Sequence, residues 1–160
     1  MRVLFIDPGK ATGWFVFNNR SSSTLGGEAS HGNFLAWMDP FGNRGASGPL
    51  TGWYLDRVVC EGFDIDQETS QKVSLTTDKP LWSIEQIGCL RFWCGRMGIP
   101  FEIQSRTAKA FDKDGSKLKK LGWWDPADGV KGEAGHRRDA ARHAVKWCVD
   151  HGLIDGSALL

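Results

Sequence analysis

The segment RVLFIDPGKATGWFVFNN at residues 2–19 constrains the fold more than any other. RVLFI is a continuous apolar run of strand type, and TGWFVFNN is a second one. Only DPGKA separates them, so the two read as a hairpin and the chain has to be built on a sheet. With 160 residues, 41% of them hydrophobic, it can fill one sizeable core but not two, so a single domain over 1–160 is expected.

Further along, the Ser/Gly-rich stretch 21–27 reads as a loop leading to a third strand around EASHGNFLAW, residues 28–37. The 40–52 stretch carries too many Gly and Pro for regular structure. RVVCEGFDI is the next strong strand and, like the first, sets an acid after apolar residues. KPLWSIEQIGCLRFWCGRMG repeats apolar residues with a helical period at Leu81, Ile84, Ile87, Cys89, Leu90, Trp93, Cys94 and Met97, between Pro80 and Gly98. IPFEIQ predicts a short strand, and residues 105–124 a basic, partly helical connection. A closing helix over about 137–151 packs through Ala140, Ala141, Ala144, Val145 and Cys148 and stops at Gly152. Together these predict an α/β domain with a mixed central sheet flanked by helices.

A formal charge of +1 excludes a globally basic coat for nucleic acid. The charge is unevenly placed, however: residues 1–90 hold seven Lys and Arg against ten acids (−3), and residues 91–160 hold thirteen against nine (+4). Such asymmetry suits an acidic site ringed by later basic residues, and equally a solvated surface. Cys60, Cys89, Cys94 and Cys148 lie in apolar or helical stretches without zinc-finger spacing, which predicts a reduced, intracellular protein. No signal-peptide core and no 18-residue apolar run is present, so secretion and membrane spanning are not expected.

Side chains at strand ends leave the core while the backbone stays rigid, so functional groups gather there in α/β sheets. Asp7 and Glu61 both occupy such ends. On neighbouring strands their carboxylates would meet, and repulsion would require a hard cation or a shared proton; magnesium is the natural cation. In GHRRDAARH, His136 and Asp139 lie three apart on one face of the closing helix. The four side chains suit metal-assisted phosphodiester hydrolysis, in which two cations about 4 Å apart act on one phosphate. Because imidazole is softer than carboxylate, manganese would serve as well.

FIDPGKATGW, VVCEGFDI and HRRDAARHAVKW resemble, in order and interval, the three acidic motifs of RuvC-type Holliday-junction resolvases of the ribonuclease H-like superfamily. The resemblance runs from Arg2 to about Asp150, and residues 84–124 are similar to the intervening helix, strand and basic connection of the small phage-encoded members. It implies a ribonuclease H-like fold, with Asp7, Glu61, His136 and Asp139 holding two Mg2+ or Mn2+ ions. It also implies phosphate contacts from Lys109, Lys117, Lys119 and Lys120, branched DNA as partner, and a homodimer whose two-fold symmetry matches a four-way junction. The expected setting is the cytoplasm, that of a bacterial host for a phage-encoded member. The 40–52 loop and the polar run after Glu61 depart from the family's pattern.

Each residue also has a plain structural reading. Asp7 before Pro-Gly suits the first position of a type I turn. His136 and Asp139 suit the first turn of a helix, where the dipole favours an acid. Glu61 is harder to dismiss, because an unpaired carboxylate in an apolar strand is expensive. Asp64 and Asp66 read as solvated loop residues, the SKLKKLG lysines as a solvated helix face, and His143 as a surface or satisfied core histidine, with a contact behind the site as its other reading. Trp123 and Trp124 read either as core or as stacking platforms for unpaired bases. The same four ligands would also serve a ribonuclease H-type or flap nuclease, and a non-catalytic junction-binding protein could retain them. DPGKATG further resembles the acid-Gly turn of actin-like ATPases, which need two such domains.

Overall fold

The computed structural model describes residues 1–38, 54–63, 81–126 and 135–159. Strands β1 (Arg2–Asp7), β2 (Ala11–Asn18) and β3 (Ser23–Ser30) form an antiparallel meander. Helix α1 (His31–Met38) follows, then β4 (Arg57–Glu61), α2 (Trp82–Met97) and β5 (Phe101–Gln104). A 3-10 turn (Arg106–Asp112) and a short helix α3 (Ser116–Lys120) lead to α4 (His136–Asp150) and a last 3-10 turn (Gly156–Leu159). The sheet order is β3-β2-β1-β4-β5, with β4 parallel to both β1 and β5.

Side-chain alternation along the strands divides the core into two layers. Val3, Phe5, Phe15, Phe17 and Val59 face α4, where Ala140, Ala141, Ala144, Val145 and Cys148 are buried against them. Leu4, Ile6, Val16, Val58 and Cys60 face the opposite way, toward Phe34 and Met38 of α1 and Leu90 and Cys94 of α2. Each large apolar side chain fully buried this way contributes about 1.5–3 kcal/mol. The three alanines let α4 lie close to the sheet, and Gly13 takes this to its limit: a Cβ built there would stand 2.0 Å from the His136 carbonyl oxygen.

One expectation is corrected. The third strand occupies residues 23–30, not 28–37, and residues 31–38 are helical. Main-chain pairing with β2 along its whole length sets β3, from Ala11↔Ser30 to Asn18↔Ser23, and does not depend on an apolar pattern in its own sequence. The helix expected next forms over Trp82–Met97; on it only Gln86, Leu90 and Cys94, four residues apart, are buried, while Ile84, Cys89 and Met97, and Leu81 just before it, are exposed. A single helix lying on a sheet buries one stripe, and the sequence offers more apolar residues than that stripe holds. Gly98 ends α2 in the left-handed conformation, at φ 67°. Pro80, the 40–52 stretch, Asp64 and Asp66 lie outside the described residues. Among the described residues no helix is long and apolar enough to cross a membrane.

Candidate active site

Register and alternation bring the strand-end residues together. Ile6 pairs with Cys60 and Glu61 with Gln104, so Asp7, Glu61 and Gln104 stand side by side at the carboxyl ends of β1, β4 and β5. Asp7 continues the face of Val3 and Phe5, and Glu61 that of Val59, so both carboxylates rise on the α4 side. The turn after Asp7 is fixed from the other side: fully buried Gln86 accepts from Gly9 N (3.1 Å) and donates to Thr12 Oγ1 (2.8 Å), and Ser83 Oγ donates to the Pro8 carbonyl (2.8 Å).

Helix α4 delivers the remaining pair from its first turn. Glu28 of β3 holds the helix start by accepting from Arg137 N at 3.1 Å, an anion at the positive end of the helix dipole. His136 Nδ1 lies 2.7 Å from Asp7 Oδ2. Asp139, one turn on, points into the same cleft of about 210 Å³, which Asp7, Glu61, Arg106, Lys109 and His136 also line. All four acid and imidazole residues named from the sequence are thus neighbours.

Lys109, from the 3-10 turn after β5, stands in the middle of them. Its Nζ is 3.2 Å from Asp7 Oδ1, 2.8 Å from Glu61 Oε2 and 3.1 Å from Asp139 Oδ2. This position beside the acids was not legible from the sequence. The other three lysines are not among the residues lining the cleft. On α3, Lys117 lies over the Phe111 ring (5.1 Å) and Lys119 over Trp124 (4.8 Å). Trp123 is core: it is buried against Phe15 and Phe17, with ring centroids 5.2 and 5.1 Å away. That excludes the stacking role for Trp123, whereas Trp124 stays half-buried between Lys119 and Arg138.

Burial pushes the Asp7 carboxyl above its ordinary range; the His136 bond opposes this, and the adjacent Glu61 carboxylate adds to the rise. Burial would raise Glu61 too, but bonds from His143, Asp7 and Lys109 outweigh it and hold Glu61 at about 2. His136 is raised by its bond to Asp7. Burial works to discharge Lys109, yet the charges of Asp7, Glu61 and Asp139 prevail and keep its ammonium above the ordinary lysine value.

Behind these residues lies a supporting layer, in which His143 meets both readings given to it, a satisfied core histidine and a contact behind the site. His143 is buried, with Nε2 2.9 Å from Glu61 Oε2 and Nδ1 2.7 Å from Gln104 Oε1. A neutral imidazole has one N–H, which it donates to Glu61 when the Gln104 amide is turned to donate to Nδ1; a doubly protonated ring donates to both. Either way His143 is a satisfied buried histidine and orients Glu61. Its place four residues beyond Asp139 on the same helix was the signal for that contact; the roles of Gln104, Arg106 and Arg142 carried no such signal. Arg142 Nη1 holds Asp139 Oδ1 at 2.9 Å, and Arg106 Nε lies 3.3 Å from Glu61 Oε1.

The donor set is that of a hard-cation site: three carboxylates from different elements and an imidazole. Among the described residues, no three of these groups are close enough to grip one ion as they stand. They are spaced for the ammonium, whose N···O contacts of 2.8–3.2 Å exceed the roughly 2.1 Å of a magnesium–oxygen bond.

No protein-family model and no curated protein matches the chain. Solved structures do. Thermus thermophilus RuvC in complex with Holliday junction substrate superimposes with a TM-score of 0.57 at 18% identity, over 96% of this chain and 97% of that one. A second Thermus thermophilus RuvC structure gives 0.58 at 14% identity, over 96% and 98%. With a five-stranded mixed sheet in the order β3-β2-β1-β4-β5 and helices on both faces, the chain has the ribonuclease H-like fold of RuvC.

Proposed function

We propose that this chain is a divalent-metal-dependent endonuclease of the RuvC type, which resolves Holliday junctions by paired symmetric nicks as a homodimer. The observation that carries the reading is the meeting of Asp7, Glu61, His136 and Asp139 in one open cleft at the carboxyl edge of a RuvC-like sheet. The whole-length likeness to a RuvC structure bound to a Holliday junction supports the choice of substrate over a flap or an RNA/DNA hybrid.

Asp7, Glu61, His136 and Asp139 are the residues that would hold two Mg2+ or Mn2+ ions. Bound there, the ions supply Lewis-acid charge to the scissile phosphate and lower the pKa of the attacking water. The chain's own residues do the rest. His143 and Gln104 fix the rotamer of Glu61, Arg142 fixes Asp139, and Gln86 fixes the turn that aims Asp7. Lys117, Lys119 and Lys120 of α3 would hold the DNA backbone, so affinity should fall with salt by a log–log slope of about −0.9 per phosphate neutralised.

The deciding experiment is cleavage of matched four-way junction, flap, RNA/DNA hybrid and linear duplex with magnesium or manganese, comparing wild type with Asp139→Asn. Paired nicks at symmetric junction positions, reduced at least about 100-fold in the variant, are expected, since metal charge stabilisation is worth several kcal/mol. Preference for flap or hybrid would retain the metal chemistry and remove the junction assignment. Junction binding without cleavage of any substrate would identify a binding protein.

A further inference from the structure

Each carboxylate of the cluster gives one oxygen to Lys109 and the other to a second side-chain cation or imidazole, and in Glu61 the oxygen that meets Lys109 also meets His143 at 2.9 Å. One oxygen meets Lys109: Asp7 Oδ1 at 3.2 Å, Glu61 Oε2 at 2.8 Å, Asp139 Oδ2 at 3.1 Å. The other meets a partner of its own: His136 at 2.7 Å from Asp7, Arg106 at 3.3 Å from Glu61, Arg142 at 2.9 Å from Asp139. Lys109 donates to Asp7 and Asp139 and forms an ion pair with Glu61, so three carboxylates on three different elements surround its one ammonium. A lysine held this way is turned inward, away from a phosphate at the cleft mouth. The oxygens it gathers are the same ones a divalent cation would need, and they cannot close to metal–oxygen distances while Nζ stands between them. Lys109 reaches in from a 3-10 turn, not from the sheet, and its side chain is 26% exposed, so a path outward is open.

From this geometry we infer that Lys109 is a displaceable internal counter-cation: it holds the metal-free carboxylates together, competes with divalent ions for them, and is released toward the cleft mouth when ions enter. The inference rests on the metal-site reading above and adds a linkage to it. Metal binding frees Lys109 for a phosphate, and a phosphate that engages Lys109 removes the metal's competitor, so each favours the other, with a coupling of the usual five- to 150-fold order. The phosphate contact expected of this lysine then belongs to the metal-loaded form.

The test is Mn2+ binding to DNA-free protein by titration calorimetry and thermal unfolding, comparing wild type with Lys109→Met, which keeps the stem and removes the charge. The variant is expected to unfold at lower temperature without metal and to bind Mn2+ about tenfold more tightly. Lys146→Met, which breaks the surface pair with Asp150, should leave Mn2+ affinity unchanged. Equal or weaker binding by a folded Lys109→Met would overturn the inference. A second readout uses wild type alone: amine acylation of Lys109, followed by mass spectrometry, should be slow without metal and several-fold faster at saturating Mn2+, and unchanged or slower labelling would refute displacement. If neither protein bound Mn2+ at all, the metal-site reading would fail and the inference with it; Mn2+ binding to both with equal affinity would sink the inference alone.

Discussion

Gly13→Ala tests how α4 is seated, and with it the whole candidate site. The added Cβ would lie 2.0 Å from the His136 carbonyl oxygen, 2.1 Å from its carbon and 2.6 Å from Arg137 N. A carbon against a carbonyl oxygen needs about 3.3 Å, so β2 and the start of α4 must separate by roughly 1.3 Å. All three obstructing atoms are backbone, so no rotamer change relieves the clash. Overpacking of this kind costs about 1–3 kcal/mol, which for a domain of this size lowers Tm by about 2–12 °C. The displaced residues are His136 and, one turn later, Asp139, and a misplacement near 1 Å costs on the order of 100-fold in rate. The assay pairs a thermal melt with junction cleavage. Gly26→Ala is the comparison, since its Cβ would meet the flexible Arg137 side chain at 2.9 Å as well as Phe15 and Trp14 at 3.0 Å, not the α4 backbone. A Gly13→Ala protein with wild-type melting and wild-type cleavage would refute the claim that direct backbone contact between β2 and α4 sets the site.

Other outcomes follow from the same coordinates. Glu61 is held at about 2 in the folded protein against an ordinary value of 4.5, so its contribution to stability is present above pH 4.5 and lost as pH falls from there toward about 2. In metal-free urea titrations, wild type should therefore lose stability relative to Glu61→Gln across that window, and parallel curves would contradict the pairing with His143 and Lys109. Trp123→Ala should destabilise by about 3–5 kcal/mol, the usual cost of removing a buried Trp, whereas Trp124→Ala should cost much less; equal melting temperatures for the two would reverse their placement.

The acids were legible because each sits where a strong local pattern ends. Asp7 and Glu61 follow apolar runs that can only be strands, and strand parity alone then puts both on the α4 face with Val3, Phe5 and Val59. His136 and Asp139 share a helix face by spacing. The edge strand β3 was misread because STLGGEAS carries no alternation; its backbone is ordered by the neighbouring β2, a contact no local window contains. Helix α1 is only eight residues long, and its buried residues His31, Phe34 and Met38 give too few turns for a helical period to stand out from strand-like apolar content. Lys109 was named as a phosphate contact only from the resemblance of the connection after β5 to that of the resolvase family. Nothing in the local sequence shows that the turn after β5 folds back over the strand ends, since the position of the turn depends on the Glu61↔Gln104 register and on α4 together.

The uneven charge of the chain has a structural meaning at this site. Two of the three carboxylates, Asp7 and Glu61, come from the acidic first half, and among the described residues all three permanent cations that meet them, Arg106, Lys109 and Arg142, come from the basic second half. Among the described residues the ion-free cluster therefore balances three against three, apart from any charge on the imidazoles. That neutrality lets Asp7 and Glu61 be buried to 5% exposure, where unpaired carboxylates would be prohibitive. Two divalent ions entering without loss of the side-chain cations would leave an excess of four positive charges in a cleft of about 210 Å³. Such an excess persists only if a polyanion arrives with the ions or a resident cation leaves. Of the three, Arg106 and Arg142 each meet an outer carboxylate oxygen, while Lys109 alone bridges all three acids. Its departure relieves the most repulsion and exposes the most ligand oxygens, so electrostatics and coordination geometry select the same residue to move.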